Sequence, residues 1–209
     1  SDPNFNPRLR LAIEKAKAGN MPKDILERAI KKGSGELEGV DFTEMRYEGY
    51  GPAGTAFIVE AVTDNKNRTA SEMRMTFSRK DGNLGADGAV SWMFKKKGII
   101  TVKSEGIDMD EFMMAALEAG AEDVEETDGV FEVTTEYTEF QTVLENLKNA
   151  GYQYEDAEIT MIPENTVEIT DLETAKKVMA LYDALEDLDD SQNVYSNFDI
   201  SDEILEQLD

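Results

Sequence analysis

The sequence predicts an α+β protein of three domains, in which a helical hairpin precedes two units of mixed helices and strands. Three observations lead to this prediction. Residues 7–32 hold two short amphipathic helices, and residues 98–163 follow the order βαββαβ. A further helix and strand then come at the end of the chain without partners of their own. The chain of 209 residues has room for three small domains.

The N-terminal hairpin is predicted from its start and stop signals. Proline is favoured in the first turn of a helix, so Pro7 is expected to begin the first helix with Asn6 as its cap. That helix ends at Gly19, and the second helix begins at Pro22 and ends at residue 32, with Gly33 directly after it. Two helices of this size cannot bury a core alone, and we expect a third element to cover them.

A strand–strand–helix unit is expected after a linker at 34–41. The apolar pattern predicts strands at 45–50 and 55–62, and then a helix that is capped by Asn67 and runs to about Arg79. A glycine-rich loop at 81–88 follows this helix and is expected to form a turn.

The cluster Trp92, Met93 and Phe94 comes directly after the glycine-rich loop. Its rings could stack on nucleic-acid bases, but an apolar cluster beside a strand is more typical of a core. We therefore expect these three side chains to be buried.

The segment 98–163 predicts a ferredoxin-like unit, because helical and strand periods alternate in the βαββαβ order. Capping residues mark its helices and a hairpin turn joins its middle strands. The expected elements are a strand at 98–103, a helix capped by Asp108 and ended by Gly120, strands at 122–126 and 130–135 joined at Asp128 and Gly129, a helix capped by Thr138, and a strand that ends at Pro163.

The last helix, 171–187 with Thr170 as its cap, and a strand at about 193–198 need a partner sheet. We expect them to return to the earlier strand–strand–helix unit, which makes that domain discontinuous. The predicted domains are 1–40, which is helical with a linker, 41–97 together with 164–209, and an inserted ferredoxin-like domain at 98–163.

The charge is distributed unevenly along the chain. The formal net charge is −24, yet residues 1–103 carry 18 basic and 14 acidic side chains, whereas residues 104–209 carry 3 and 31. A basic first half points to a nucleic-acid partner there, because the acidic half would repel a phosphate backbone.

Many enzyme classes are excluded by composition. The chain holds neither histidine nor cysteine, so it can have no disulfide, no Cys nucleophile and no Ser-His-Asp triad. The loop at 81–88 is not a P-loop, and the acidic run 186–190 lacks the glycine and glutamate of an EF-hand. We expect no metal, no cofactor and no catalysis.

The candidate nucleic-acid contacts are the cations of the hairpin, with three loop positions beside them. Clustered Lys and Arg on helices can contact phosphates, although a solvated helix surface explains the same pattern. The hairpin cations are Arg8, Arg10, Lys15, Lys17, Lys23, Arg28, Lys31 and Lys32, and the loop candidates are Asn67, Arg68 and Asn83.

Several segments resemble the YebC/PmpR family, over essentially the whole chain. They are residues 20–33 (NMPKDILERAIKKG), 47–52 (YEGYGP), 64–69 (DNKNRT), 82–85 (GNLG), 161–163 (MIP) and 186–190 (EDLDD). The resemblance implies a helical N-terminal domain and two α/β domains. It also implies a DNA-binding transcriptional regulator, or a ribosome-associated translational activator as in the mitochondrial branch.

One departure from the family pattern concerns the first residues. Family chains usually begin with a further basic stretch containing Gly-His-Ser-Lys-Trp, and this sequence starts after it. We expect that stretch to pack with the hairpin and to carry part of the nucleic-acid surface.

Together these observations predict a cytoplasmic, non-enzymatic regulator of gene expression that binds DNA or ribosomal RNA through its N-terminal half. The acidic half suits a basic ribosomal protein or polymerase, and no membrane contact is expected. The alternative is an acidic protein–protein adaptor that makes no nucleic-acid contact. A carboxylate-dependent hydrolase is a third class, with no motif behind it.

Overall fold

A computed structural model describes residues 2–3, 5–35 and 41–208. The N-terminal hairpin is confirmed, with helices α1 (Pro7–Ala18) and α2 (Lys23–Gly33). The Asn6 side chain caps α1 by accepting the N–H of Leu9 at 3.0 Å. Residues 36–40 of the predicted linker lie outside the described residues.

The first sheet combines strands from both ends of the remaining chain. Its antiparallel order is β3-β1-β2-β9, so that β9 pairs with β2 across the whole intervening sequence. Helices α3 and α6 pack on one face, where Phe57 and Phe77 meet edge to face with ring centroids 6.2 Å apart. The elements are β1 (Thr43–Tyr50), β2 (Ala56–Thr63), α3 (Lys66–Arg79), β3 (Asn83–Leu84), α6 (Leu172–Glu186) and β9 (Ser191–Ser196).

The second sheet has the ferredoxin-like topology that the sequence predicts. Its order is β5-β6-β4-β7, all antiparallel, with α4 and α5 on one face and Phe112 stacked on Phe131 at 4.5 Å in the core. Asp128 and Gly129 both adopt positive φ in the hairpin turn, as expected. The elements are β4 (Phe94–Lys103), α4 (Met109–Ala119), β5 (Asp123–Thr127), β6 (Val130–Glu136), α5 (Phe140–Asn149) and β7 (Tyr154–Pro163).

Three short elements complete the described chain and were absent from the sequence-based expectations. Strands β8 (Val167–Ile169) and β10 (Phe198–Ile200) form a parallel pair, and helix α7 (Asp202–Leu205) follows. Such short segments show too few periods for a pattern to reveal them. Of the helices in the described part of the chain, none has the length and apolar composition that crossing a bilayer requires.

Three predicted helix caps differ from the structure by one or two residues, and α2 begins at Lys23 rather than at Pro22. The cap of α3 is Asn65 rather than Asn67, and the cap of α6 is Asp171 rather than Thr170. Helix α5 follows Glu139 without a side-chain cap, so the predicted role of Thr138 is wrong. In the first two cases the neighbouring residue is also a good capping type, and only the backbone geometry decides between them.

The two sheets are joined through a buried carboxylate. Glu48 on β1 is only 2% exposed, and its Oε2 accepts the N–H groups of Val90 at 2.9 Å and Ser91 at 2.8 Å. Burial alone would raise the pKa of Glu48, but these backbone donors outweigh it and keep the pKa below its ordinary value. The charged carboxylate therefore fixes the loop that leads into β4.

A second polar network ties α3 to the turn before β9. Asp190 is nearly buried and accepts the Thr69 hydroxyl at 2.6 Å, and Arg68 Nη2 donates to both of its oxygens at 3.0 and 2.9 Å. Burial would raise the pKa of Asp190, yet the Thr69 and Arg68 donors hold it below its ordinary value. Since the folded-state pKa is lowered, this carboxylate stabilises the fold above its unfolded-state pKa.

The two ends of the predicted insertion lie next to each other in the structure. The N–H of Glu164, just after β7, donates to the carbonyl of Met93 at 2.8 Å. The predicted boundary at 97/98 falls inside β4, which begins at Phe94. The division into an inserted and a discontinuous domain stays a prediction, with 94–163 as the inserted segment.

We predict that residues 94–163 fold alone, because their sheet, helices and core cluster are nearly self-contained. A short flexible linker joining Met93 directly to Glu164 should likewise leave the rest of the chain folded, since these residues already touch. Amide NMR spectra of both proteins should be well dispersed. Poorly dispersed spectra from both proteins would contradict the prediction that residues 94–163 are an inserted domain.

We also predict that Asp190→Asn lowers the free energy of unfolding at neutral pH by about 1–3 kcal/mol, the cost of losing charged hydrogen bonds. The difference from wild type should shrink as the pH falls from about 3.9 through the lower folded-state pKa, where the wild-type carboxyl is protonated as well. Urea denaturation across this pH range measures it.

Asp189→Asn is the matched control for this experiment, because it removes the same charge from an exposed neighbouring side chain. It should leave stability within about 0.5 kcal/mol of wild type. Equal effects of the two substitutions would show that the network around Asp190 adds no specific stability.

Candidate nucleic-acid interface

Several cations of helix α1 form ion pairs with the rest of the protein, residues 41–208, which we call the body. Helix α1 lies beside the edge strand β7 and helix α5, and Leu11 packs against the ferredoxin-like core. Three predicted phosphate contacts are ion-paired with carboxylates far away in sequence. The pairs are Arg8–Glu44 at 3.5 Å, Arg10–Glu145 at 3.5 Å and Lys15–Asp156 at 2.8 Å.

An acidic residue of α1 also contacts side chains outside the hairpin. Glu14 accepts the Tyr154 hydroxyl at 3.1 Å and lies 3.8 Å from Lys148 Nζ. All of these pairs are at least partly exposed, and such pairs contribute little each and weaken with salt. Phosphate can reach Arg8, Arg10 or Lys15 only in competition with these carboxylates.

Helix α2 presents its cations to solvent. Lys23, Arg28, Lys31 and Lys32 are all exposed, and α2 contributes no buried side chain. Lys23 lies 3.7 Å from Glu27 one turn along the helix, and Lys32 lies over the Phe42 ring at 5.0 Å.

Two α2 cations, together with Lys17 at the end of α1, are left without a carboxylate. Within the described ranges 2–3, 5–35 and 41–208, no ion pair is formed by Lys17, Arg28 or Lys31. An anionic ligand can therefore meet these three cations without displacing a carboxylate of the residues that the structure describes.

The apolar faces of the hairpin form an open groove of about 360 Å³. Its walls are Leu9, Ala12 and Ile13 from α1, with Leu26 and Ile30 from α2. The two helices therefore do not bury a core between them, in line with the expectation that they need a further element.

The three loop candidates lie on elements outside the hairpin. Asn67 and Arg68 are in the first turn of α3, and Asn83 is exposed on β3. Arg68 is already bound to Asp190 and lies 3.1 Å from Asp64, and this pairing raises its pKa. The Arg68 guanidinium is thus engaged by two carboxylates of the protein, whereas the Asn67 and Asn83 side chains are exposed.

A cleft of about 310 Å³ between α1 and the two sheets was not foreseen from the sequence. It is lined by cations of α1 and β4, Lys15 and Lys96 among them, and by Glu60. Tyr195 donates its hydroxyl to Glu60 at 3.3 Å, and burial followed by the charge of Glu60 raises the pKa of Tyr195. These residues come from distant segments, so no local pattern could have revealed the cleft.

The expected burial of residues 92–94 is correct for Phe94 and wrong for Trp92. Phe94 is 6% exposed and packs between the sheets, whereas Trp92 is 68% exposed.

Among the described residues, no group of three or more carboxylates is placed to hold a metal ion.

Comparisons with known proteins support the resemblance seen in the sequence. Residues 1–36 match the model of the TACO1/YebC protein N-terminal domain, and residues 42–198 match that of the TACO1/YebC second and third domain. A probable transcriptional regulatory protein of Fusobacterium nucleatum is 95% identical over 208 residues, which cover 100% of this chain and 84% of that protein. Another, from Geobacter sulfurreducens, is 56% identical, with 99% and 83% covered.

A solved structure has the same fold. The conserved hypothetical protein Aq1575 of Aquifex aeolicus superimposes with a TM-score of 0.87 at 52% sequence identity, over 98% of this chain and 84% of that one. Both matched models together span almost the whole sequence. The chain therefore belongs to the TACO1/YebC family.

Proposed function

We propose that this protein is a non-enzymatic regulator of gene expression that binds the phosphate backbone of nucleic acid through α2. The observation that carries the proposal is the contrast between the two helices. The α1 cations Arg8, Arg10 and Lys15 face carboxylates of the body, whereas Arg28 and Lys31 of α2 face solvent. The regulatory role is supported by the relatives, which are described as probable transcriptional regulatory proteins.

The acidic body restricts how nucleic acid can approach. Residues 104–209 carry 31 acidic and 3 basic side chains, so a phosphate backbone lying against them would be repelled. Contact is therefore confined to the hairpin and the basic elements next to it. DNA and RNA share the phosphate chemistry that such a surface recognises.

A protein–protein adaptor is the second candidate, and the excess of acid in residues 104–209 favours it. Such an adaptor would bind a basic protein, and its α2 cations would only keep the helix solvated. The two functions differ in a direct measurement, because only the first requires affinity for nucleic acid at low salt.

We predict that Arg28→Gln with Lys31→Gln weakens binding to both RNA and DNA, by a similar factor for unrelated sequences. Each lost phosphate contact releases one counterion fewer, so the slope of log affinity against log salt should become shallower by about two. Fluorescence anisotropy with labelled single-stranded RNA, single-stranded DNA and duplex DNA over a range of salt concentrations measures both quantities.

Lys176→Gln with Lys177→Gln is the matched control, since it removes two exposed cations from α6 in the acidic half. This variant should keep the wild-type affinity and salt slope. If the α2 variant behaves in the same way as this control, the α2 cations make no phosphate contact and the adaptor function takes precedence.

A further prediction concerns catalysis. With no histidine or cysteine in the chain, the purified protein should hydrolyse neither nucleotides nor phosphodiesters. A sensitive phosphate-release assay with added Mg²⁺ tests this. Turnover that survives further purification and is lost on replacing a single carboxylate would overturn the non-enzymatic assignment.

A further inference from the structure

Trp92 is the only tryptophan of the chain and lies in a short 3₁₀ turn, Ser91–Met93. Its side chain is 68% exposed. Tryptophan is on average a highly buried residue, and leaving so large an apolar ring in water gives up the stabilisation of burial. An exposed tryptophan that is also held in place is a candidate contact for a ligand.

The loop around Trp92 is fixed by hydrogen bonds. The buried Glu48 carboxylate binds the N–H groups of Val90 and Ser91, the residues directly before Trp92. The Gly85 N–H donates to the Glu48 carbonyl at 2.8 Å, which anchors the start of the same loop. The ring therefore projects from a rigid base rather than from a free loop.

A second aromatic ring lies next to Trp92. The indole Nε1 of Trp92 and the hydroxyl of Tyr50 each donate to the carbonyl of Ala89, both at 3.1 Å. Tyr50 is 37% exposed. Since the polar atoms of both rings are bonded within the protein, the surface that they offer is the apolar surface of the rings.

The segment of sequence that follows Trp92 is basic in an otherwise acidic protein. Residues 88–104 contain four lysines and no acidic residue, although the chain has 45 acidic side chains. Three of these lysines are ion-paired, Lys95 with Glu164, Lys97 with Glu136 and Lys103 with Glu155. Lys96 is exposed and forms no ion pair within residues 41–208, and its Nζ lies over the Tyr137 ring at 5.5 Å from the centroid. Trp92 is thus followed, four positions along the chain, by an exposed lysine that has no carboxylate partner within these residues.

An unpaired base attached to a phosphate has both of the matching features. Exposed aromatic rings beside basic side chains bind single-stranded nucleic acid, because every base has a face that can stack and every nucleotide carries a negative charge. A base within a duplex is already stacked and paired, so it cannot present its face to a ring without being extruded. A protein partner would bury Trp92 equally well but would not require unpaired bases.

We propose that Trp92, with Tyr50 beside it, stacks on an unpaired base of single-stranded nucleic acid, and that Lys96 provides charge for another phosphate of the same strand. This inference rests on the proposed function and adds to it a preference for single strands. The cations of α2 hold the phosphate backbone of any nucleic acid, and the Trp92 site distinguishes strands whose bases are free.

The intrinsic fluorescence of the protein reports directly on this site, because Trp92 is its only tryptophan. Titration with a short unstructured RNA or a single-stranded DNA of the same sequence should quench the emission. A duplex of equal length should leave it nearly unchanged at saturation. Comparison of the RNA and DNA titrations shows which strand the site prefers.

Trp92→Ala should lower the affinity for single strands by about tenfold, the usual effect of removing one stacking ring, and should leave duplex affinity unaltered. Trp92→Phe keeps a ring and should retain most of the affinity. Met114→Ala removes another strongly exposed apolar side chain, from α4, and serves as the control that changes neither. Thermal unfolding of each variant separates loss of binding from loss of fold.

Unchanged emission with single strands, together with wild-type affinity of Trp92→Ala, would overturn this inference. The proposed function would still stand if the wild type binds nucleic acid and Arg28→Gln with Lys31→Gln weakens it. Absence of nucleic-acid binding by the wild type at low salt would overturn both, and Trp92 would then be assigned to a protein contact.

Discussion

The segment that connects the two sheets is held by one buried carboxylate, Glu48. A charge in the interior is costly unless donors surround it, and here the N–H groups of Val90 and Ser91 supply them. The same two bonds close the loop after the first sheet and aim the chain into β4. Replacement of Glu48 by an apolar residue would leave two buried backbone donors unpaired, so the cost would fall on both sheets together.

The distribution of charge divides the hairpin into a structural helix and an accessible one. Helix α1 is attached to the body by ion pairs that include Lys15–Asp156, whereas Arg28 and Lys31 of α2 have no such pair within the described ranges. A cation count along the sequence treats both helices alike, because the carboxylates that engage α1 lie on β1, α5 and β7. The structure thus reduces the candidate phosphate contacts to a smaller set than composition suggests.

Much of the fold follows from local periodicity, and most of the site does not. The ferredoxin-like unit was predictable because its helical and strand periods, the Asp108 cap and the Asp128-Gly129 turn are all local signals. The choice between Thr170 and Asp171 as a cap was not, since either side chain can accept the bond. Trp92 is exposed on a loop whose backbone is bound by Glu48, more than forty positions earlier in the chain, and no neighbouring residue indicates this contact.

The return of β9 to β2 has a consequence for how the protein is made. The Ser196 hydroxyl bonds to the Ala56 carbonyl across 140 positions, so the first sheet cannot be completed until nearly the whole chain has left the ribosome. Residues 94–163 are synthesised earlier, and their folding as a unit would hold Met93 and Glu164 together through the hydrogen bond between them. The folded unit would thereby shorten the loop that β2 and β9 must close by about half, which lowers the entropy cost of closure by about 0.6 kcal/mol. On that order of events, a segment from the middle of the chain would assemble before the sheet whose strands flank it on both sides.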